Sequence, residues 1–351
     1  MILRSRRVLL FLVSGAIIAG ITYFFFRPEA PKKVVESEEV LRARDKEIMD
    51  VLIASSPMDI DEFCDSSGDC FIVRQNFWRR RHSGERMHAR RDIVYKDRQQ
   101  LVMSLAELKI PALLTTRHVD PRAWRVNHAI LVFIYNAIQA AAGFITGSLT
   151  VDNPTKHQRI LQIGMGGGAS TSFLARAKLN LSIDVVELEE IVHRKAVEHF
   201  DFTKSSRVTV HIEDGVKFLQ REVKKGSQYD SILLDACSNR ADTPVVCPAA
   251  VFLDEDVLKL LSQAAGSVGT LSANLFMPQD TAVHQKRITE LFGRHFATCF
   301  TLIYDGFQRV LVCTNKKDSE WTQQRERFLH NLEQFDALFN LPLSEVIRAY
   351  N

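Results

Sequence analysis

The chain has 351 residues, 46% of them hydrophobic and 25% charged, and a net charge of +3. That length leaves room for more than one minimal domain, and that composition is ordinary for a globular protein. So small a net charge offers nucleic acid no electrostatic footprint, and no nucleic acid is expected as a partner.

The first predicted element is Val8 to Phe26, which runs for 19 residues without a charge. As a helix it would rise roughly 28 Å, close to the hydrocarbon thickness of a bilayer. Arg4, Arg6 and Arg7 precede it, and Arg27 and Pro28 close it. Tyr23-Phe24-Phe25-Phe26 is a poor cleavage site, which favours an uncleaved anchor over a signal peptide. Residues 1–27 are therefore expected to form a transmembrane anchor, with the lipid bilayer as partner through residues 8–26. The chain would then be a single-pass membrane protein. Arg27, Lys32, Lys33, Arg42 and Arg44 lie beyond the span, and that bias leans toward a cytosolic catalytic domain.

Residues 28–91 read as a stalk or linker. Pro28, Pro31 and a mixed-charge run offer little core pattern. An acidic piece, Asp61 to Asp69, precedes a basic one with Arg79, Arg80, Arg81, Arg86, Arg90 and Arg91. This run reads as a solvated surface or as a contact for anionic lipid or an acidic partner. Cys64 and Cys70 are close enough to pair in a lumenal domain, while Cys237, Cys247, Cys299 and Cys313 fall in the core region. No pair has C-x-x-C spacing, so no metal site is expected. Asn180-Leu181-Ser182 is a glycosylation sequon.

Residues 92–155 read as a small β region plus a helix. Ile93 to Tyr95 and Leu101 to Met103 are short strand patterns, and Asn127 to Gly143 is a mostly apolar helix. Across 156–315 strands and helices alternate, the signature of a parallel sheet covered by helices. The tail, 316–351, reads as amphipathic helix.

The chemistry-bearing residues lie in the alternating region. Strand Arg159 to Ile163 runs into Gly164-Met165-Gly166-Gly167-Gly168-Ala169, with a helix from Ser170. Glycines there let the backbone turn tightly and approach a ligand. The next strand, from Ile183, ends at Glu187, about 20 residues on, where an acid is placed to hold ribose hydroxyls. Val208 to His211 leads to Asp214-Gly215, and Ser231 to Leu234 ends at Asp235. Three successive strands thus deliver an acid at the sheet edge where ligands bind. For each acid taken singly, a helix cap or turn is the plainer role. Asp305-Gly306 lies between two β-rich runs and marks a terminal hairpin. An antiparallel last strand belongs to a class I methyltransferase sheet rather than a nicotinamide-binding one.

These segments resemble the spermidine synthase-like superfamily over about Asp92 to Cys313. They are Ile160 to Gly168, Val186-Glu187-Leu188, Glu213 to Leu219 and Tyr229 to Asp235. Cys247-Pro248 with Phe252 is similar to the methyltransferase-like branch, which includes the elongation factor 1-alpha methyltransferase. The resemblance implies S-adenosylmethionine as cofactor, lined by Gly164, Gly166, Gly168 and Gly215. It places Glu187 on the ribose, Asp214 on the adenine amine and Asp235 at the reacting centre as the catalytic residue. Polyamine synthases carry an acid where this chain has Ala169, and another in the stretch that here reads Ala236-Cys237-Ser238-Asn239. Asp242 is placed to restore one. A cationic polyamine needs such carboxylates to replace its hydration.

The expected fold is therefore α/β: a Rossmann-like class I methyltransferase sheet with a C-terminal antiparallel hairpin strand, a small N-terminal β region and one preceding transmembrane helix. The expected function is S-adenosylmethionine-dependent methyl transfer to a protein amine. The alternatives are an aminopropyltransferase and a catalytically silent membrane-bound scaffold. A protein substrate is the expected partner, and a homodimer is left open.

Overall fold

A computed structural model describes residues 38–79, 86–114, 120–239, 243–306, 308–317 and 321–350. The first element is a helix, α1 (Glu38–Ala54), followed by a four-stranded antiparallel sheet in the order β1 (Met58–Cys64), β2 (Cys70–Arg79), β3 (Met87–Tyr95) and β4 (Val102–Glu107). The segment expected to be a stalk thus supplies a helix and most of a sheet, and the β region begins near residue 58, not 92. The reason is burial on both faces. Phe71, Val73 and Phe77 pack with Leu52 of α1, while Arg74 and Gln75 between them are buried too.

The basic run is likewise divided. Arg79 pairs with Asp50 at 2.6 Å and Arg90 with Asp92 at 3.3 Å. Buried Arg91 donates to the carbonyls of His199, Arg122 and Trp124. Arg80 and Arg81 lie outside the described residues.

Helix α2 (Ile134–Thr146) leads to the large sheet. Its strands are β5 (Gln158–Ile163), β6 (Leu181–Glu187), β7 (Val208–Ile212), β8 (Ser231–Leu234), β9 (Thr270–Phe276), β10 (Thr298–Ile303) and β11 (Gln308–Thr314), in the order β10-β11-β9-β8-β5-β6-β7. Pairs among β5 to β9 are parallel, and β11 is antiparallel to both β9 and β10, as the Asp305-Gly306 turn requires. Interleaved are α3 (Ala169–Leu174), α4 (Glu190–His199), α5 (Gly215–Lys224), α6 (Glu255–Ala265) and α7 (Thr281–Gly293). The chain ends in α8 (Trp321–Phe339) and α9 (Leu343–Tyr350).

Side chains along β5 alternate between two cores. Ile160 faces a cluster built from α2 and the terminal helices, including Phe144, Phe328 and Phe335; Leu161 and Ile163 face another with Phe218 and Leu261. Helix α2 is rich in alanine because it lies close on the sheet: a Cβ on Gly143 would stand 3.0 Å from the Ser231 Cβ. The small sheet docks on α4, with Val192 and Phe200 in its core and Asp61 of β1 on Lys195 and His199 at 2.6 and 2.7 Å.

The transmembrane expectation is corrected. Among the described residues no helix is long and apolar enough to cross a membrane; the longest, α8, carries charges along its length. Val8 to Phe26 lies outside the described residues. The bilayer contact and the single-pass localisation with a cytosolic catalytic domain rested on that span and find no support among the described residues. Cys64 pairs with Cys70, Cys237 with Cys247 and Cys299 with Cys313, which accounts for all six cysteines.

Candidate functional site

The chain leaves β5 toward β6 and β7 and returns to β8 on the other side, so the sheet switches direction at β5. Ligands in open α/β sheets bind at such a point, beyond the carboxyl ends of the strands. Ile163 is level with Val186 on one side and Leu234 on the other. Gly164, Glu187 and Asp235 therefore emerge side by side. A cavity of about 690 Å³ opens there, and Gly164, Gly166, Glu187, Asp214, Gly215 and Asp235 all line it.

Gly168 does not. It has φ +74°, and a Cβ there would stand 2.4 Å from the Phe202 ring, so it serves packing behind the turn. Gly164 has φ +86°, and its Cβ would meet the Asp235 carbonyl at 2.4 Å. The donors of the turn are spent within the protein. Gly164 N–H donates to Val186 O and Met165 N–H to Glu187, each at 2.9 Å; Gly167 N–H donates to Ser104 Oγ and Gly168 N–H to Met165 O, also at 2.9 Å. A pyrophosphate would find none of these free, which disfavours a dinucleotide.

Glu187 is buried. Its Oε2 accepts from Met165 N–H at 2.9 Å and its Oε1 from Glu189 N–H at 3.0 Å. Burial pushes its carboxyl up, while these backbone donors pull it down. The carboxylate also lines the cavity, where vicinal ribose hydroxyls would meet it. Asp214 caps α5 and lines the cavity: its Oδ1 accepts from Val216 N–H and Lys217 N–H at 2.7 and 3.2 Å. On the rim, Leu188 and Val251 are 64% and 51% exposed, apolar surface that a planar ring would cover.

Asp235 lies in a different setting. Asn274 Nδ2 donates to its Oδ1 at 2.9 Å and Asn136 Nδ2 to its Oδ2 at 3.3 Å, and the Tyr135 hydroxyl is also bonded to it. Gln308 Nε2 in turn donates to Asn274 Oδ1 at 3.1 Å. Burial pushes the Asp235 carboxyl up to about 7 against the pull of Asn274, Tyr135 and Asn136. Tyr135 itself is pushed well above the ordinary tyrosine range, first by burial and then by the Asp235 charge. Such a carboxyl exchanges a proton near neutrality, as acid–base chemistry requires.

Sequence reasoning did not reach Tyr135, Asn136, Asn274 or Gln308. Asn274 left one signal, a carboxamide inside the apolar strand Thr270–Phe276. Ala169 lines the cavity without charge, and Asn239 has both side-chain polar atoms engaged: Tyr95 OH donates to its Oδ1 and its Nδ2 donates to Asp65, at 3.0 and 2.9 Å. Asp242 lies outside the described residues.

No protein-family model matches the chain. An eEF1A lysine and N-terminal methyltransferase homolog of Drosophila pseudoobscura pseudoobscura is 30% identical over 168 residues, 47% of this chain and 25% of that protein. A polyamine aminopropyltransferase of Vibrio vulnificus is 34% identical over 161 residues, 46% of this chain and 51% of that protein. The chain thus spans between a quarter and about half the length of these curated relatives. Human methyltransferase-like protein 13, solved in complex with SAH, superposes with a TM-score of 0.51 at 20% identity, over 59% of this chain and 92% of that one. The resemblance to the spermidine synthase-like superfamily, and within it to the methyltransferase-like branch, is borne out by relatives and fold alike.

Proposed function

We propose that the chain is an S-adenosylmethionine-dependent methyltransferase whose acceptor is an amine on a protein. Residues 156–315 form the cofactor-binding unit, with 316–351 packed on it as a helical tail. Glu187 holds the ribose, Gly164, Gly166 and Gly215 give the cofactor room, and Asp214 meets the adenine amine through Oδ2. Leu188 and Val251 cover the ring. A homodimer forms no part of this reading.

When bound, S-adenosylmethionine supplies a methyl carbon made electrophilic by its sulfonium. The acceptor's task is to present a neutral nitrogen in line with that carbon, so catalysis is largely positioning. Asp235 accepts a hydrogen bond from the amine and takes the proton that the nitrogen releases as the N–C bond forms and the S–C bond breaks. Asn136, Asn274 and Tyr135 fix both carboxylate oxygens, so the base meets the acceptor in one orientation.

The observation that carries the choice of methyl over aminopropyl transfer is the neutrality of the groups bonded to Asp235. Its bonded neighbours there are Tyr135, Asn136 and Asn274, and the two positions where polyamine synthases carry acids hold Ala169 and a stretch ending in a fully engaged Asn239. A diamine's second charge would find no carboxylate at those two positions, and Asp65, which also lines the cavity, already accepts from Ser67, Asp69 and Asn239. The aminopropyl reading is kept by the Vibrio relative. The two separate in one assay. Labelled S-adenosylmethionine with protein acceptors should give methylated amines, and decarboxylated S-adenosylmethionine with putrescine should give no spermidine. Spermidine formation without protein methylation would reverse the assignment.

A further inference from the structure

The wall beside Asp235 is built from two bridged segments. The first comprises Cys237 to Asn239, just after β8, and residues 243–247, joined by the Cys237–Cys247 disulfide. Within it Ser238 N–H donates to Val246 O at 2.8 Å, and Val246 N–H donates to Phe276 O at 2.9 Å, so Val246 lies against the end of β9. The second is the β1–β2 turn, closed by Cys64–Cys70. Its Asp65 Oδ1 accepts from the N–H groups of Ser67 and Asp69, each at 2.9 Å, which leaves Oδ2 for Asn239 Nδ2. Arg98 adds a bond to the Asn239 carbonyl at 3.0 Å. On its other side the turn's Ser66 donates twice to Glu189, two residues past the ribose acid. The turn therefore straps the open edge of the sheet from the end of β6 to the segment after β8. Both bridges end within two residues of the bond from Asn239 to Asp65 that joins the strap to the wall. Cys237, Asn239 and Asp65 line the cavity.

We infer that the Cys237–Cys247 and Cys64–Cys70 disulfides are positioning elements of the acceptor wall, so that the enzyme holds its acceptor only when oxidised and acts on amines met in an oxidising compartment. This inference rests on the proposed methyl transfer for the identity of the acceptor. Each bridge forms when two thiols give two protons and two electrons to a disulfide-exchange oxidant, and opens when a dithiol reductant returns them. Three bridges consuming all six cysteines are the pattern of a protein that matures where such oxidants operate, since cytosolic thiols are kept reduced. At the cofactor end Glu187 accepts from the backbone N–H groups of Met165 and Glu189, neither of which belongs to the Cys237–Cys247 segment.

The test has two parts, both on the full chain. Alkylation of thiols in intact cells before lysis should leave all six cysteines unlabelled; labelling of Cys237 or Cys247 in the folded cellular protein would overturn the inference. Amide exchange and calorimetric binding of S-adenosylmethionine are then compared in the parent, Cys237→Ser with Cys247→Ser, Cys299→Ser with Cys313→Ser, and Asn239→Ala. The first pair and Asn239→Ala should each speed exchange at Ser238, Gly68 and Asp69 by at least about tenfold while leaving cofactor affinity within about threefold. The Cys299 and Cys313 pair, in the β10–β11 hairpin, should change neither. Unchanged exchange at Gly68 and Asp69 in the first pair and in Asn239→Ala would show that the bridge does not position the wall. Absence of cofactor binding in the parent would sink the methyltransferase reading instead, and the exchange result would stand apart from it.

Discussion

Glu187 serves two ends at once, and that shapes what its removal should do. Its oxygens hold the glycine turn through Met165 and Glu189 and face the cavity. Glu187→Ala should lose up to two charge-assisted bonds to ribose, each worth roughly 1.5–3 kcal/mol, and so at least about tenfold in cofactor affinity. It should also lower Tm, because two backbone donors lose their acceptor; Glu187→Gln, which keeps one acceptor, should lose less of both. Calorimetry and thermal melts on the same preparations separate the two effects. Asp235→Asn should spare cofactor binding and abolish most turnover. Since Asp235 must be ionised to take the proton, turnover should rise with pH through about 7. Its folded value lies above the 3.8 of a free carboxyl, so the folded state holds a proton that the unfolded state has released. That contribution to stability is full below about 4 and is lost as pH rises through about 7. Asn274→Ala removes a bond that favours the charged form and should move the rising limb of the pH profile upward by about one unit. A limb that stays in place would remove Asp235 from the proton transfer. The acids themselves were legible because each ends a strand pattern. Their partners were not: Asn136 and Asn274 reach Asp235 from 99 and 39 residues away.

At the scale of elements, the turn after β5 is where local sequence and tertiary contact agree. Gly164 combines a left-handed backbone with a carbonyl 2.4 Å from where a Cβ would be, and that neighbour is backbone. Gly164→Ala should therefore cost more than the ~1 kcal/mol typical of a lost glycine conformation. Gly226 offers the control: it has φ +75° but nothing within 4 Å of its Cβ position, so Gly226→Ala reports the backbone term alone. Equal losses in urea denaturation would mean that β5 and β8 do not approach as described. The strands of the large sheet were readable because they are apolar runs between turn residues, and the final hairpin because of Asp305-Gly306. Helix α2 begins at Ile134, not Asn127, since Phe133 is extended; the intervening apolar residues gave a helical pattern without helical backbone. Strand β2 was hidden because Arg74, Gln75 and Asn76 interrupt any alternation, with partners that are distant in sequence: the Pro121 carbonyl for buried Gln75 and Asp92 for half-buried Asn76.

For the whole molecule, the tail closes one face of the sheet. Phe335 of α8 is fully buried, 5.2 Å from the Phe144 ring of α2 and 4.6 Å from Phe339. Phe335→Ala should cost about 3–5 kcal/mol by urea denaturation, and because α2 also carries Asn136 it should weaken turnover in the surviving folded fraction. The small sheet completes the cavity through Ser104 and Tyr95, and the turn after β1 through Asp65, so residues of both sheets wall it. The order of elements made the large sheet expected, but nothing in chain order announced that the segment before it would wall the site. The central claim is that this cavity is made for S-adenosylmethionine beside an acid, Asp235, whose bonded neighbours are neutral. Its most direct test is calorimetric titration of the full chain with S-adenosylmethionine, decarboxylated S-adenosylmethionine and methylthioadenosine. S-adenosylmethionine should bind most tightly, and Glu187→Ala should weaken it at least about tenfold; tighter binding of the decarboxylated form, or no binding of any of the three, would contradict the account.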